Sequence, residues 1–232
     1  MKKLIKEYKG FSLVEMLLTI LILSVVMLLV ASTLNTVIKA SNTANSKNLA
    51  RSDINYIMDI LNRSITNSDL EYIKLYNSSK RVFELKNGLP KIVTPPNMDL
   101  GTVYSDTPLM DGVSGNEIHV KVYGYSVWSC FGYFRDVNNE YGYIVKATLP
   151  DSDTFENFSC FSESTEITIL HSFSIDATDF NISYIDIGDG KNSMFIINAT
   201  LTPLYWPVSD SFPVTREVSR QIVVSTEALT WY

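Results

Sequence analysis

The apolar run over residues 16–31, MLLTILILSVVMLLVA, limits this chain more than any other stretch. Only Thr19 and Ser24 interrupt it, and between Gly10 and Ile38 the one charged residue is Glu15. A helix rises about 1.5 Å per residue, so about 20 apolar residues cross a bilayer core. Residues 11–31 meet that length. Lys2, Lys3, Lys6 and Lys9 precede the run, against one acid, Glu7. The positive-inside rule then keeps the N-terminus cytoplasmic and exports everything after Ala31.

Charge narrows the class further. The formal net charge is −6; the first ten residues carry +3, so the remainder carries −9. Nucleic-acid binding wants a basic stripe, and no lysine- or arginine-rich block follows residue 10. A nucleic-acid partner is therefore not expected. Glu15 is the anomaly. An ionised side chain in a membrane helix costs about 2.5–3.5 kcal/mol at the bilayer centre and less near an edge, so such a residue calls for a partner.

A basic leader ending in Gly10, then Phe11-Ser12-Leu13-Val14-Glu15, then a long apolar helix resembles the N-terminus of the type IV pilin and pseudopilin family. The resemblance covers residues 9–31. It implies that a prepilin peptidase cuts between Gly10 and Phe11 on the cytoplasmic side and N-methylates Phe11. It also implies that Glu15 meets the Phe11 amine of a neighbouring subunit inside a helical filament. The physics is compatible with that role: a buried carboxylate and a buried ammonium are each expensive alone and tolerable together, so the pair favours one axial stagger. The alternatives for this end are a snorkelling acid on an ordinary signal anchor, or cleavage after the apolar run near Ser32, which would release a soluble secreted protein.

Residues 32–68 read as a continuation of the helix. No proline occurs before Pro90, and no glycine between Gly10 and Gly88. Ile54, Ile57, Met58, Leu61 and Ile65 make one apolar stripe at helical spacing. The domain plan is thus a leader over 1–10, a membrane or filament-core helix over 11–31, its amphipathic continuation over 32–68, and an exported β-rich head over 69–232.

From Asp69 the texture changes to short segments rich in Val, Ile, Tyr, Phe and Thr, divided by Gly, Pro, Asn, Asp and Ser. Strands are expected at 70–76 and 81–86, joined by a turn over 77–80. Further strands are expected at 117–125, 141–149, 165–173, 180–187, 193–201 and 216–226, with 90–115 loop-rich. In 117–125, Ile118, Val120 and Val122 share one face and His119, Lys121 and Tyr123 the other. A long N-terminal helix followed by antiparallel strands makes the fold class α+β.

Candidates for chemistry are few. Cys130 and Cys160, the only cysteines, are exported, where oxidising conditions allow a disulfide. The enclosed loop would make it worth roughly 3 kcal/mol; two buried thiols are the alternative. Neither His119 nor His171 has metal-ligand spacing to another histidine or cysteine, so no metal site is expected, and each reads as a satisfied or exposed histidine. The segment 186–192 (DIGDGKN) reads as a hairpin turn, with a calcium loop as the minor alternative; no other cofactor is expected. The aromatics Tyr123, Tyr125, Trp128, Phe131, Tyr133, Phe134, Tyr141 and Tyr143 read as strand packing or as a binding surface. There is no Gly-x-Ser-x-Gly elbow and no P-loop.

The resulting expectation is a structural subunit and not an enzyme. The size of the head resembles the J-type and W-type minor pseudopilins, which implies a role in fibre initiation or a tip complex of a type IV pilus or type II secretion pseudopilus. The topmost subunit in such complexes typically lacks the helix glutamate, so Glu15 implies a place below it. The implied partners are other pilin or pseudopilin subunits, the prepilin peptidase and an inner-membrane assembly platform. The implied location is the cytoplasmic membrane in a single pass, then a periplasmic or cell-surface fibre. A membrane-anchored binding module or adhesin, and a secreted enzyme, are the competing classes.

Overall fold

In the computed structural model, the residues described are 12–68, 70–76, 82–86, 89–92, 112–136, 138, 140–150, 160–161, 166–187, 193–206 and 216–226. One α-helix, α1 (Leu13–Thr66), is followed by a 3-10 turn (Leu70–Tyr72) and strands. These are β1 (Ile73–Tyr76), β2 (Val82–Lys86), β3 (Leu89–Ile92), β4 (Ser114–Gly115), β5 (Glu117–Lys121) and β6 (Val127–Asp136). Then come β7 (Gly142–Pro150), β8 (Ile167–Ile169), β9 (Ile175–Asp186), β10 (Ser193–Pro203) and β11 (Val218–Thr226). The architecture is α+β. By its internal contacts the chain forms two units, Met1–Asn45 and Ser46–Tyr232.

In the second unit α1 shows why it is a helix. Ala50, Ile54, Ile57, Met58, Leu61 and Ile65 are all buried, on the stripe that the 3.6-residue period predicts. Full burial of an aliphatic side chain contributes about 1.5–3 kcal/mol. The helix ends without a glycine. Asn67 donates its side-chain amide to the Arg63 carbonyl at 2.7 Å, and the Ser68 hydroxyl donates to the Ser64 carbonyl at 2.6 Å. These side chains serve last-turn carbonyls, where a helix runs out of amide partners; the Arg63 carbonyl also accepts the Asn67 N–H at 3.2 Å.

The strands form two sheets. The larger has the order β1-β5-β6-β2-β3, with β7 on β6 and β8 on β7; the smaller has the order β11-β10-β9-β4. Among the described residues all pairings are antiparallel except a two-residue parallel contact of β2 with β6. Period 2 sorts the side chains. Ile118, Val120, Phe131 and Ile144 point to a core shared with α1 and with Phe180, Ile182, Phe195 and Ile197 of the smaller sheet. Trp128, Cys130, Phe134, Tyr143, Val145 and Ala147 point the other way, into a second core closed by Cys160 and Phe161.

Several strand expectations are corrected. Residues 70–72 form the 3-10 turn, so β1 begins at Ile73. β1 does not form a hairpin with β2; it pairs β5, matching Ile73 with Val120 and Leu75 with Ile118. Burial of these four aliphatic side chains on the inner face decides that register. The turn proposed at 77–80 lies outside the described residues. The stretch expected to be loop carries β3 and β4. β5 stops at Lys121, and β8 keeps only three of nine expected residues, whereas β9 begins five residues early. The longest strand of the larger sheet, β6, is one the aromatic pattern does not announce. One face (Trp128, Cys130, Phe134) is buried, whereas on the other Phe131 is buried and Val127, Ser129, Tyr133 and Arg135 are half-buried.

Candidate assembly interface

The apolar half of α1 presents its side chains as exposed surface. From Leu13 to Ile38 the large aliphatic side chains are about half exposed or more, from Val26 at 47 % to Leu13 at 76 %. Water does not tolerate such a surface, which is far larger than the few hundred Å² a soluble monomer exposes. Among the described residues α1 is the one helix long and apolar enough to cross a membrane.

The polar atoms in this run are turned inward. Thr19 donates its hydroxyl to the Met16 carbonyl at 2.8 Å, and Ser24 to the Leu21 carbonyl at 2.7 Å. Thr33 donates to the Val30 carbonyl at 2.9 Å. Each hydroxyl therefore enters hydrocarbon with its donor satisfied by its own backbone, as a lipid-facing helix requires.

At the helix start, Ser12 and Glu15 form a reciprocal cap. The backbone N–H of Ser12 donates to Glu15 Oε2 at 3.3 Å, and the N–H of Val14 donates to Ser12 Oγ at 3.3 Å. This is the S-x-x-E capping box, with the serine serving the second amide. The signal is legible in Ser12-Leu13-Val14-Glu15, and the charge-pair reading of Glu15 passes over it. The helix start also places a carboxylate at the positive end of the helix dipole. Gly10 and Phe11, the expected cleavage and methylation residues, lie outside the described residues.

In the head, Cys130 and Cys160 are joined in a disulfide, with their Cα atoms 6.2 Å apart. Of the two readings of His119, satisfied or exposed, the structure shows the satisfied one: it and Glu117 are fully buried. They lie on the side of β5 away from the helix, and Glu117 Oε1 stands 2.6 Å from His119 Nε2. His171 is buried as well. Its Nε2 accepts the Ile144 N–H at 3.2 Å and its Nδ1–H donates to the Ser172 carbonyl at 3.1 Å, which fixes the neutral tautomer. Burial pushes its pKa below the usual histidine value.

The aromatic group divides. Trp128, Phe131, Phe134 and Tyr143 are core residues, whereas Tyr123, Tyr125 and Tyr141 are exposed. Tyr125 borders an open cleft of about 390 Å³ lined also by Arg63, Ser64, Asn67, Ser129 and Lys146. The Arg63 guanidinium there is already paired with Asp59 at 2.9 Å. Of the suggested calcium loop, Asp186 ends β9, Ile187 follows it, and residues 188–192 lie outside the described residues.

Residues 5–31 match the family model described as the prokaryotic N-terminal methylation motif. The match covers residues 5–10 of the expected leader, the expected Gly10–Phe11 junction, Glu15 and the apolar run, and it supports a pilin-like or pseudopilin-like subunit held in the membrane by a single helix. No curated protein and no solved structure matches the chain.

Proposed function

We propose that this chain is a minor pilin or pseudopilin, a structural subunit of a type IV pilus or a type II secretion pseudopilus. It acts in fibre initiation or in the tip complex, below the topmost position. The observation that carries this reading is the uncovered apolar half-helix with a single acid near its start, inside the matched methylation motif. Before assembly, lipid covers the rod; after assembly, the rods of neighbouring subunits do. Removal of the leader after Gly10 frees the amine of Phe11, which is then methylated. That ammonium and the Glu15 carboxylate of the adjoining subunit neutralise each other in a medium where either alone is expensive. The energy for extraction comes from an assembly platform in the inner membrane. The exported β-rich head supplies the contacts that distinguish this subunit from others.

The test is the exact mass and N-terminal sequence of the protein recovered from its native membrane. A chain starting at N-methylated Phe11 is the expected result. A chain still starting at Met1, or starting near Ser32, overturns the proposal, the second result favouring a secreted protein.

A further inference from the structure

The outer face of the larger sheet holds a polar cluster that a fibre subunit has no evident use for. His119 on β5 and Cys130 on β6 are direct cross-strand partners. Cys160 approaches from outside the sheet. One ring nitrogen of His119 and the two sulfurs lie within 4.8 Å of one another, and all three residues are buried. Glu117 lies two residues before His119 on the same strand, opposite Gly132, with its carboxylate 2.6 Å from the imidazole. Around them are the ring of Tyr76, 4.4 Å from that of His119, and the ring of Phe161 at 6.2 Å.

A structural disulfide needs no buried glutamate–histidine hydrogen bond beside it. Apolar neighbours of the same volume serve equally or better, because desolvating a carboxylate and an imidazole is costly. A carboxylate fixed on an imidazole is, however, how a metal-ligating histidine is oriented. Two thiolates and one imidazole are a donor set that zinc takes. Zinc donors at about 2.0–2.3 Å from a tetrahedral centre stand roughly 3.3–3.8 Å apart. The two sulfurs are bonded to each other, so that spacing requires the S–S bond to break and the cysteine side chains to rotate apart.

We propose that His119, Cys130 and Cys160 form a zinc site in the dithiol form of the protein, with Glu117 orienting the imidazole. The disulfide and the metal are mutually exclusive closures of one cluster. A dithiol or phosphine reductant supplies two electrons, the S–S bond breaks, and with two protons Cys130 and Cys160 become thiols. Zinc binding then displaces those two protons to solvent, leaving two thiolates on the metal. Either closure fastens the Cys160–Phe161 turn over the second core.

The experiment uses the full chain in detergent, oxidised and after reduction by a phosphine that is then removed. Each form is titrated with cobalt(II) and then zinc. The reduced protein is expected to bind one equivalent per chain with a thiolate-to-cobalt charge-transfer band that zinc bleaches, and the oxidised protein none. Glu117→Gln, which keeps a hydrogen-bonding group at that position, is expected to weaken binding about 10–100-fold. His119→Ala is expected to remove the imidazole contribution from the cobalt spectrum. Absence of metal binding by reduced protein that retains its near-UV circular dichroism overturns the proposal. So does binding unchanged by both substitutions.

Discussion

Glu15 accepts a hydrogen bond from the backbone N–H of Ser12, three residues before it, and so closes the first turn of α1 on itself. The same carboxylate that a neighbouring amine would seek also stabilises the start of its own helix. The two duties separate by substitution. Glutamine can still accept from the Ser12 amide but carries no charge; alanine does neither. If the charge governs assembly, Glu15→Gln and Glu15→Ala are both expected to abolish sheared-fibre yield and co-purification of partner subunits. Wild-type assembly of the glutamine variant would reduce Glu15 to a cap.

The buried stripe of α1 allows a sharp contrast between neighbours. Ile57 is fully buried and Tyr56 more than half exposed. Ile57→Ala leaves a cavity under the sheets and is expected to lower stability by about 2–5 kcal/mol. Tyr56→Ala is expected to change it by less than about 0.5 kcal/mol. Thermal unfolding of both variants in detergent, side by side, is the measurement.

His171 makes the head sensitive to acid. Its folded-state pKa lies below the ordinary histidine value, because burial opposes the charged ring. The unfolded chain therefore binds the proton more readily than the folded one, and stability rises with pH. The contribution is complete above about pH 6.5, the unfolded value, and is lost as pH falls below it. The melting temperature is expected to drop from pH 7 to pH 5, with a shallower slope in His171→Gln. Equal slopes in the two proteins would assign the acid sensitivity elsewhere.

Gly142 is fixed by its neighbours. A Cβ there would stand 2.1 Å from the Ala177 carbonyl oxygen, and backbone does not give way easily. At Gly132 the corresponding atoms are the rings of Phe134 and Phe161 at 3.1 Å, which can turn. Gly142→Ala is expected to cost more than the roughly 1–3 kcal/mol of ordinary overpacking, and Gly132→Ala less than Gly142→Ala. Denaturant midpoints for the pair check the order.

Which parts were readable from sequence follows from range. α1 is local: an absence of glycine and proline, a stripe at Ile54, Ile57, Met58, Leu61 and Ile65, and an apolar run. β10 alternates cleanly, and Phe195, Ile197, Ala199 and Leu201 face the core as the pattern requires. The pairing of β1 with β5 is a choice among distant strands, and no short-range signal in residues 70–86 encodes it. Burial of His119 follows from cover by Cys160 and Phe161, some 40 residues on. The convergence of His119, Cys130 and Cys160 has the same origin: a cross-strand register and one covalent bond, neither of which is a spacing. Ser12, by contrast, was readable, since its capping-box pattern is written in four consecutive residues.

Because Thr19 and Ser24 spend their hydroxyl protons on carbonyls of the preceding turn, residues 16–31 offer a lateral neighbour an almost wholly hydrocarbon surface. Two such rods laid together feel almost the same attraction at every height. A cable spun from them would hold its strands in place only at their tips and through their heads. Under tension it would lengthen by slippage before it snapped.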